Sequence, residues 1–326
     1  RATTVEITTI ASVGRSAAPG TWRTLGPLQR ARLLGTPGRG KHRLLGVPTI
    51  AESLITLSML SGVPEASEAA REACTKLRWH EALRRRVPAA AAESRVRGAR
   101  ASAALDGVEI DLAVVRDLMR GATAWPKSPD PLEAMLRGAV QATAETEHIR
   151  DMVLTAPSQA LARIHVAAAG HLLPESQVGR PRRAGEISQE LSDLGPAPDE
   201  LALGQRLAGI LDLLLHMKDA PAVVVAALVH AEIATIRPFV RGNGLVARAM
   251  ERAVIRASGL DPTGVAVPEV GHGAAGGAAY LGALAAYGSG SPHGVGLWVT
   301  HCARAVVAGA EEGGRIADAV LAGRLS

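Results

Sequence analysis

Aromatic side chains are scarce in this chain: four tryptophans, two tyrosines and one phenylalanine, Phe239, among 326 residues. A hydrophobic fraction of 47% still supports a sizeable core and excludes wholesale disorder. Packing therefore falls to Ala, Leu, Val and Ile, which lets elements approach closely and points to helices. Cysteine is nearly missing as well. Cys74 and Cys302 are too few for a disulfide framework or a cysteine-based zinc site. The longest apolar run, Ala220 to Val229, is too short to span a bilayer, and no secretory pattern opens the sequence. The expectation is a cytoplasmic protein without a membrane partner.

Charge is unevenly placed. Residues 1–47 hold Arg1, Arg15, Arg23, Arg30, Arg32, Arg39, Lys41 and Arg43 against Glu6 alone, whereas the whole chain sums only to +5. The body is near neutral and the basic character belongs to a Gly- and Pro-containing N-terminal arm, 1–47. Such an arm reads as a solvated leader or as a contact for nucleic acid.

From Pro48 the pattern turns helical. Ile50, Leu54 and Leu57 share a face, residues 65–86 read as a second helix, and 93–105 lead into Asp106-Gly107. The loop Trp125 to Pro131 separates an N-terminal helical region, 48–130, from a main body, 131–326. In the body, helices are expected over 132–150 and 158–172, followed by a long exposed loop or hairpin over 174–198. Leu203, Leu207, Ile210, Leu211 and Leu214 form an amphipathic stripe, and 221–236 is apolar all round, the mark of a helix buried inside a bundle. With no internal repeat and little period-two alternation, the class is all-α. Arg84, Arg85, Arg86, Arg95, Arg97 and Arg100 form a second basic cluster, read as a solvated helix face.

The informative stretch is Arg237-Pro238-Phe239-Val240-Arg241-Gly242-Asn243-Gly244-Leu245-Val246-Ala247-Arg248. A buried helix ends, Pro238 blocks continuation, Gly-Asn-Gly turns, and a new helix runs from about Asn243 to Ser258. Free N–H groups and the positive dipole end make such a helix start an anion site, and glycines allow close approach. Arg237, Arg241 and Arg248 surround the turn, and guanidinium groups suit phosphate oxygens.

This stretch resembles the signature of the Fic (Fido) family, His-Pro-Phe-x-(Asp/Asn/Glu)-Gly-Asn-Gly-Arg-x-x-Arg, with Ala227 to Ile236 similar to the run that precedes it. Gly179, Arg180, Pro181 and Arg182 resemble the family's flap hairpin. Pro196 to Pro198 and the helix after them match the segment that members carry after that flap. Tyr280, Tyr287 and Trp298 fall where members carry late aromatic helices. Upstream, Ser102, Asp106 and Gly107 resemble the inhibitory motif (Ser/Thr)-x-x-x-Glu-(Gly/Asn) of the subclass with an N-terminal inhibitory helix. The resemblance spans roughly 48–310 and implies a Fic-type helical bundle with a small flap hairpin.

Active members transfer AMP, and occasionally other phosphate-containing groups, from a nucleotide to a protein hydroxyl. Their motif His is the base, the acidic residue binds Mg²⁺, and the turn holds phosphates. Gly242, Asn243, Gly244 and Arg248 match, so ATP or another nucleotide is the implied ligand. Arg237 stands for the base, Arg241 for the metal residue and Leu245 for the first arginine. An arginine stays protonated near neutral pH and cannot be a base, a loss of about 10²–10⁴-fold. Arg241 should repel Mg²⁺, so no metal is expected. Asp106, one methylene shorter than the family's Glu, is expected to pair with Arg248 or simply to end its helix in a turn.

His230, nearly two turns before Arg237, reads as a core histidine, with a surrogate base as the sharper alternative. His165 with His171, and His293 with His301, lack metal-ligand spacing. No His-Glu-x-x-His, Walker loop or Gly-x-Ser-x-Gly occurs. Three functional readings are compatible with these residues. The first is a degenerate member acting as a nucleotide-, phosphate- or protein-binding regulator of an unidentified partner. The second is a transferase of altered chemistry using Arg237, Arg241 and His230. The third is a nucleic-acid-associated regulator using residues 1–47.

Overall fold

The structure is a computed structural model that describes residues 49–324; the basic arm lies outside them. Thirteen α-helices and no strand occur among the described residues. In chain order they are α1 (Ile50–Ser58), α2 (Val63–Arg78), α3 (Val87–Leu105), α4 (Leu112–Met119), α5 (Pro131–Glu145), α6 (Met152–Thr155), α7 (Pro157–Ala169), α8 (Glu200–Leu215), α9 (Ala222–Ile236), α10 (Asn243–Ala257), α11 (Pro268–Gly273), α12 (Gly277–Gly288) and α13 (Pro292–Leu321). No helix among them is long and apolar enough to cross a membrane.

Local chemistry sets the boundaries. Thr49 and Glu52 form a reciprocal capping box on α1, and Asp130 and Glu133 do the same on α5. Asp199 accepts from Ala202 N at the start of α8. The helix expected over 65–86 stops at Arg78 and continues as a 3-10 turn, Glu81–Arg84. His80 marks the break: its backbone is extended and its Nδ1 accepts from Ala82 N, capping the new turn.

Helix α9 is the axis of the bundle. Every residue from Val223 to Ile236 is buried, and α8, α10, α12 and α13 pack around it. On the far side of α10 lie α3, α5 and α7, so the N-terminal helical region shares the same core. Small residues make this possible. A Cβ on Gly271 would lie 2.1 Å from the carbonyl oxygen of Ala305, so α11 rests directly on the backbone of α13. Trp298, one of the few aromatics, is fully buried and donates its indole N–H to Ala227 O of α9 at 2.7 Å.

Two expectations need correction. The flap has no strand ladder: Arg183–Glu186 is a tight turn closed by Glu186 N on Arg183 O at 3.0 Å, and the donors before it go elsewhere. Arg183 N donates to the Glu186 carboxylate at 2.6 Å, Arg182 N to Pro238 O at 2.7 Å, and Pro181 has no N–H. Nor is the second basic cluster simply solvated. Arg95 pairs with Glu147, Arg97 with Glu93 and Glu312, while Arg86 and Arg100 donate to the carbonyls of Val320 and Ile110. Arg84 and Arg85 alone match the expectation of exposure without a partner.

Glycine substitutions should separate close packing from helix propensity. Gly271→Val should destabilise by about 1–3 kcal/mol or more through overpacking. Gly204→Ala, at a site in α8 where a Cβ meets nothing within 4 Å, should stabilise by about 0.5–1 kcal/mol. Urea unfolding of both variants measures this; effects of equal sign would contradict it.

Candidate anion-binding site

Helix α9 ends in Arg237, whose φ of 47° is left-handed. Phe239 and Asn243 then lock the loop: Phe239 N donates to Asn243 Oδ1 and Asn243 Nδ2 donates to Phe239 O, both at 2.9 Å. Gly242, with φ of 83°, begins α10 in a conformation that side chains resist. The result is the expected turn, with its N–H groups free of helix partners.

Those groups hold a carboxylate. Gly242 N donates to Glu190 Oε1 at 2.7 Å, Asn243 N to Glu190 Oε2 at 2.9 Å, and Asn243 Nδ2 to the same oxygen at 3.1 Å. Glu190 comes from the loop after the flap turn, and Ser188 of that loop accepts a further bond from Asn243 Nδ2. A negative group on a helix N-terminus is what the dipole favours.

A second carboxylate lies alongside. Arg248 is buried and donates to Asp106 Oδ2 at 2.6 Å, to Ser102 Oγ at 2.8 Å and to Ser102 O at 3.0 Å. Burial acts against its charge, but Asp106 and Tyr280 hold its pKa above the usual arginine value. Asp106 also ends α3: Gly107 N bonds Ala104 O and Val108 N bonds Ala103 O, a Schellman cap with Gly107 at φ 87°. The pairing and the turn are one arrangement. Gly244 has no side chain to obstruct it; a Cβ there would sit 3.1 Å from Asp106 Oδ1.

The other arginines face elsewhere. Arg237 is buried, and its guanidinium donates to the carbonyls of Glu190, Leu191 and Gly195 at 3.3, 3.1 and 2.7 Å. Its Nε is buried without a partner. Burial lowers its pKa, with Arg182 and Arg206 adding repulsion. Arg241 is half exposed, its Nε 4.0 Å from Glu190 Oε1. Leu245 is buried beside Gly138 of α5 and belongs to the core. In the flap, Arg182 donates to Arg237 O at 3.0 Å, and Arg180 is tied to Glu186 at 2.7 Å through both terminal nitrogens. Gly179 N donates to His165 Nδ1 at 2.9 Å, and His165 Nε2 meets Arg241 O at 3.2 Å while its ring stacks on Phe239. His165 thus ties the flap to the motif; burial pushes its pKa down to about 4 and keeps it neutral.

His230 is fully buried and both ring nitrogens are engaged, Nδ1 with Glu251 at 2.6 Å and Nε2 with the Tyr280 hydroxyl at 2.8 Å. The core-histidine reading therefore fits its surroundings.

The turn fits an anion, because three N–H donors already converge on one. It does not fit Mg²⁺: Arg241 brings a guanidinium, and both nearby carboxylates, Glu190 and Asp106, are held by N–H donors.

Residues 154–254 match the model of the Fic/DOC family. Residues 154–254 form a Fic-type domain. The Fic domain covers α7 to most of α10 and so contains the turn, the flap and Glu190. Similar solved structures include Fic-1 (residues 134–508) from C. elegans, at 18% identity and a TM-score of 0.61, over 80% of this chain and 73% of that one. A Fic family protein from Desulfovibrio desulfuricans G20 has 20% identity and a TM-score of 0.55, over 83% and 76%. A Fic domain containing signaling protein from Bacteroides thetaiotaomicron VPI-5482 has 12% identity and a TM-score of 0.56, over 78% and 98%. At these identities the likeness is one of Fic fold. No curated protein matched the sequence.

Sequence reasoning left Asp106 open between Arg248 and a plain turn, and the structure places it against Arg248, with the Gly-Asn-Gly turn at the start of α10. That reasoning missed Glu190 and His165, and expected three arginines to converge where only Arg248 is directed inward. Replacing Arg237 should therefore carry a structural cost. Arg237→His cannot span three carbonyls, and should lower stability by about 1–3 kcal/mol while speeding hydrogen exchange at 190–195. Unchanged exchange in that loop would contradict the role given to Arg237.

Proposed function

We propose that this Fic domain is a regulator built around an anion cradle that its own carboxylates keep closed, and that it binds a nucleotide or protein phosphate only when Glu190 withdraws. The observation that carries the reading is Glu190 on Gly242 N, Asn243 N and Asn243 Nδ2. A phosphate oxygen needs the same donors, so it must compete with a tethered carboxylate. Asp106 on Arg248 closes the adjoining position in the same way.

Transfer chemistry lacks a base. Arg237 cannot accept a proton and is committed to loop carbonyls, while His230 is sealed from solvent with both nitrogens engaged. When bound, a nucleotide would bring its phosphates to the Gly242–Gly244 amides, with Arg248 as the cation and no metal between them. Partner recognition would then depend on flap position, because releasing Glu190 frees the loop that Arg237 and Arg182 pin.

Calorimetry with ATP, with and without Mg²⁺, tests this on the natural chain, on Glu190→Ala, on Asp106→Ala and on the double variant. Removing both carboxylates should tighten binding at least about tenfold, equivalent to about 1.4 kcal/mol, with no dependence on Mg²⁺. Absence of binding in every variant would remove the cradle reading. Covalent labelling of any protein by labelled ATP would remove the claim that transfer is lost.

A further inference from the structure

Behind the cradle lies a second polar cluster, buried where α9, α10 and α11 meet. His230 Nδ1 and His272 Nε2 approach the same oxygen of Glu251, at 2.6 and 2.7 Å. All three residues are at most 1% exposed, and their ligand atoms lie within 4.8 Å of one another. We propose that His230, Glu251 and His272 form a structural site for a divalent transition metal, with Zn²⁺ as its occupant.

Charge balance is the first argument. Buried guanidinium groups nearby are already matched: Arg248 with Asp106, and Arg252 with Glu269 at 2.7 Å. Glu251 has no guanidinium partner, and its Oε1 is buried without any hydrogen bond. A carboxylate with one oxygen unpartnered and the other shared by two imidazoles, sealed in an apolar interior, calls for a cation.

Ligand orientation is the second. Each imidazole has its outer nitrogen fixed, His230 Nε2 by the Tyr280 hydroxyl at 2.8 Å and His272 Nδ1 by His301 Nε2 at 3.2 Å. Outer hydrogen bonds of this kind orient metal-bound histidines and raise their basicity. Two imidazoles and a carboxylate are a donor set that suits Zn²⁺ far better than Mg²⁺ or Ca²⁺. Seating the ion at about 2.0–2.1 Å from each donor opens the present contacts by roughly half an ångström, within reach of the unpartnered Oε1. Access is the third. His301 is half buried and, with Gly271 beside His272, lines a groove of about 930 Å³ that opens to solvent.

Metal analysis of the full chain, purified without metal-affinity steps or chelators and then dialysed against Zn²⁺ or Co²⁺, tests the site. About one ion per chain is expected, with a higher melting temperature on loading. Visible absorption of bound Co²⁺ should indicate nitrogen and oxygen donors without thiolate. His272→Gln and Glu251→Gln should each lose the ion, whereas His293→Ala, on the same groove but outside the cluster, should keep it. Should those variants fail to fold, the Co²⁺ spectrum and stoichiometry of the natural chain decide alone. No stoichiometric ion after dialysis, or equal loss in His293→Ala, would overturn the proposal in favour of a purely hydrogen-bonded network. Neither result bears on ATP affinity, so the cradle and the metal site stand or fall separately.

Discussion

Glu190 joins a loop to a helix start through three N–H donors, and the arrangement around the motif depends on that bond. With Glu190 seated, its backbone carbonyl and those of Leu191 and Gly195 come within reach of Arg237. Arg182 reaches from the flap to the carbonyls of Arg237 and Pro198, closing the loop on the motif from the other side. Each contact commits a group at the motif: the helix amides, the guanidinium of Arg237 and the backbone of the flap.

The side chains of the motif thus have different physical surroundings. Leu245 lies in the core beside Gly138. Arg237 clamps three carbonyls. Arg241 lies at the surface, its Nε 4.0 Å from Glu190 Oε1. Arg248 kept an inward direction because Ser102, Asp106 and Tyr280 together satisfy a buried guanidinium.

What was legible in the sequence was periodic or motif-borne. The apolar run of 221–236 and the helix starting after Gly242 rest on local rules and were found in place. Asp106 was legible because a spaced motif pointed to it. Glu190 was not, since a single glutamate 52 residues from Gly242 in a loop carries no pattern. The direction of Arg237 was hidden by its left-handed φ, which turns the side chain away from the helix start it precedes. The flap's lack of a ladder likewise depends on which acceptors its amides find in three dimensions. His230, Glu251 and His272 come from three separate helices, so no spacing in the chain relates them.

The carboxylate in the cradle is the central claim, and the amide protons of Gly242 and Asn243 report on it directly. In ¹⁵N-edited NMR spectra, a charged oxygen at 2.7 to 2.9 Å should hold both resonances far downfield. Glu190→Gln should move both upfield while leaving the resonances of α13 unchanged. Shifts at Gly242 and Asn243 that ignore this substitution would mean that the cradle is open and that the protein is not a carboxylate-closed regulator.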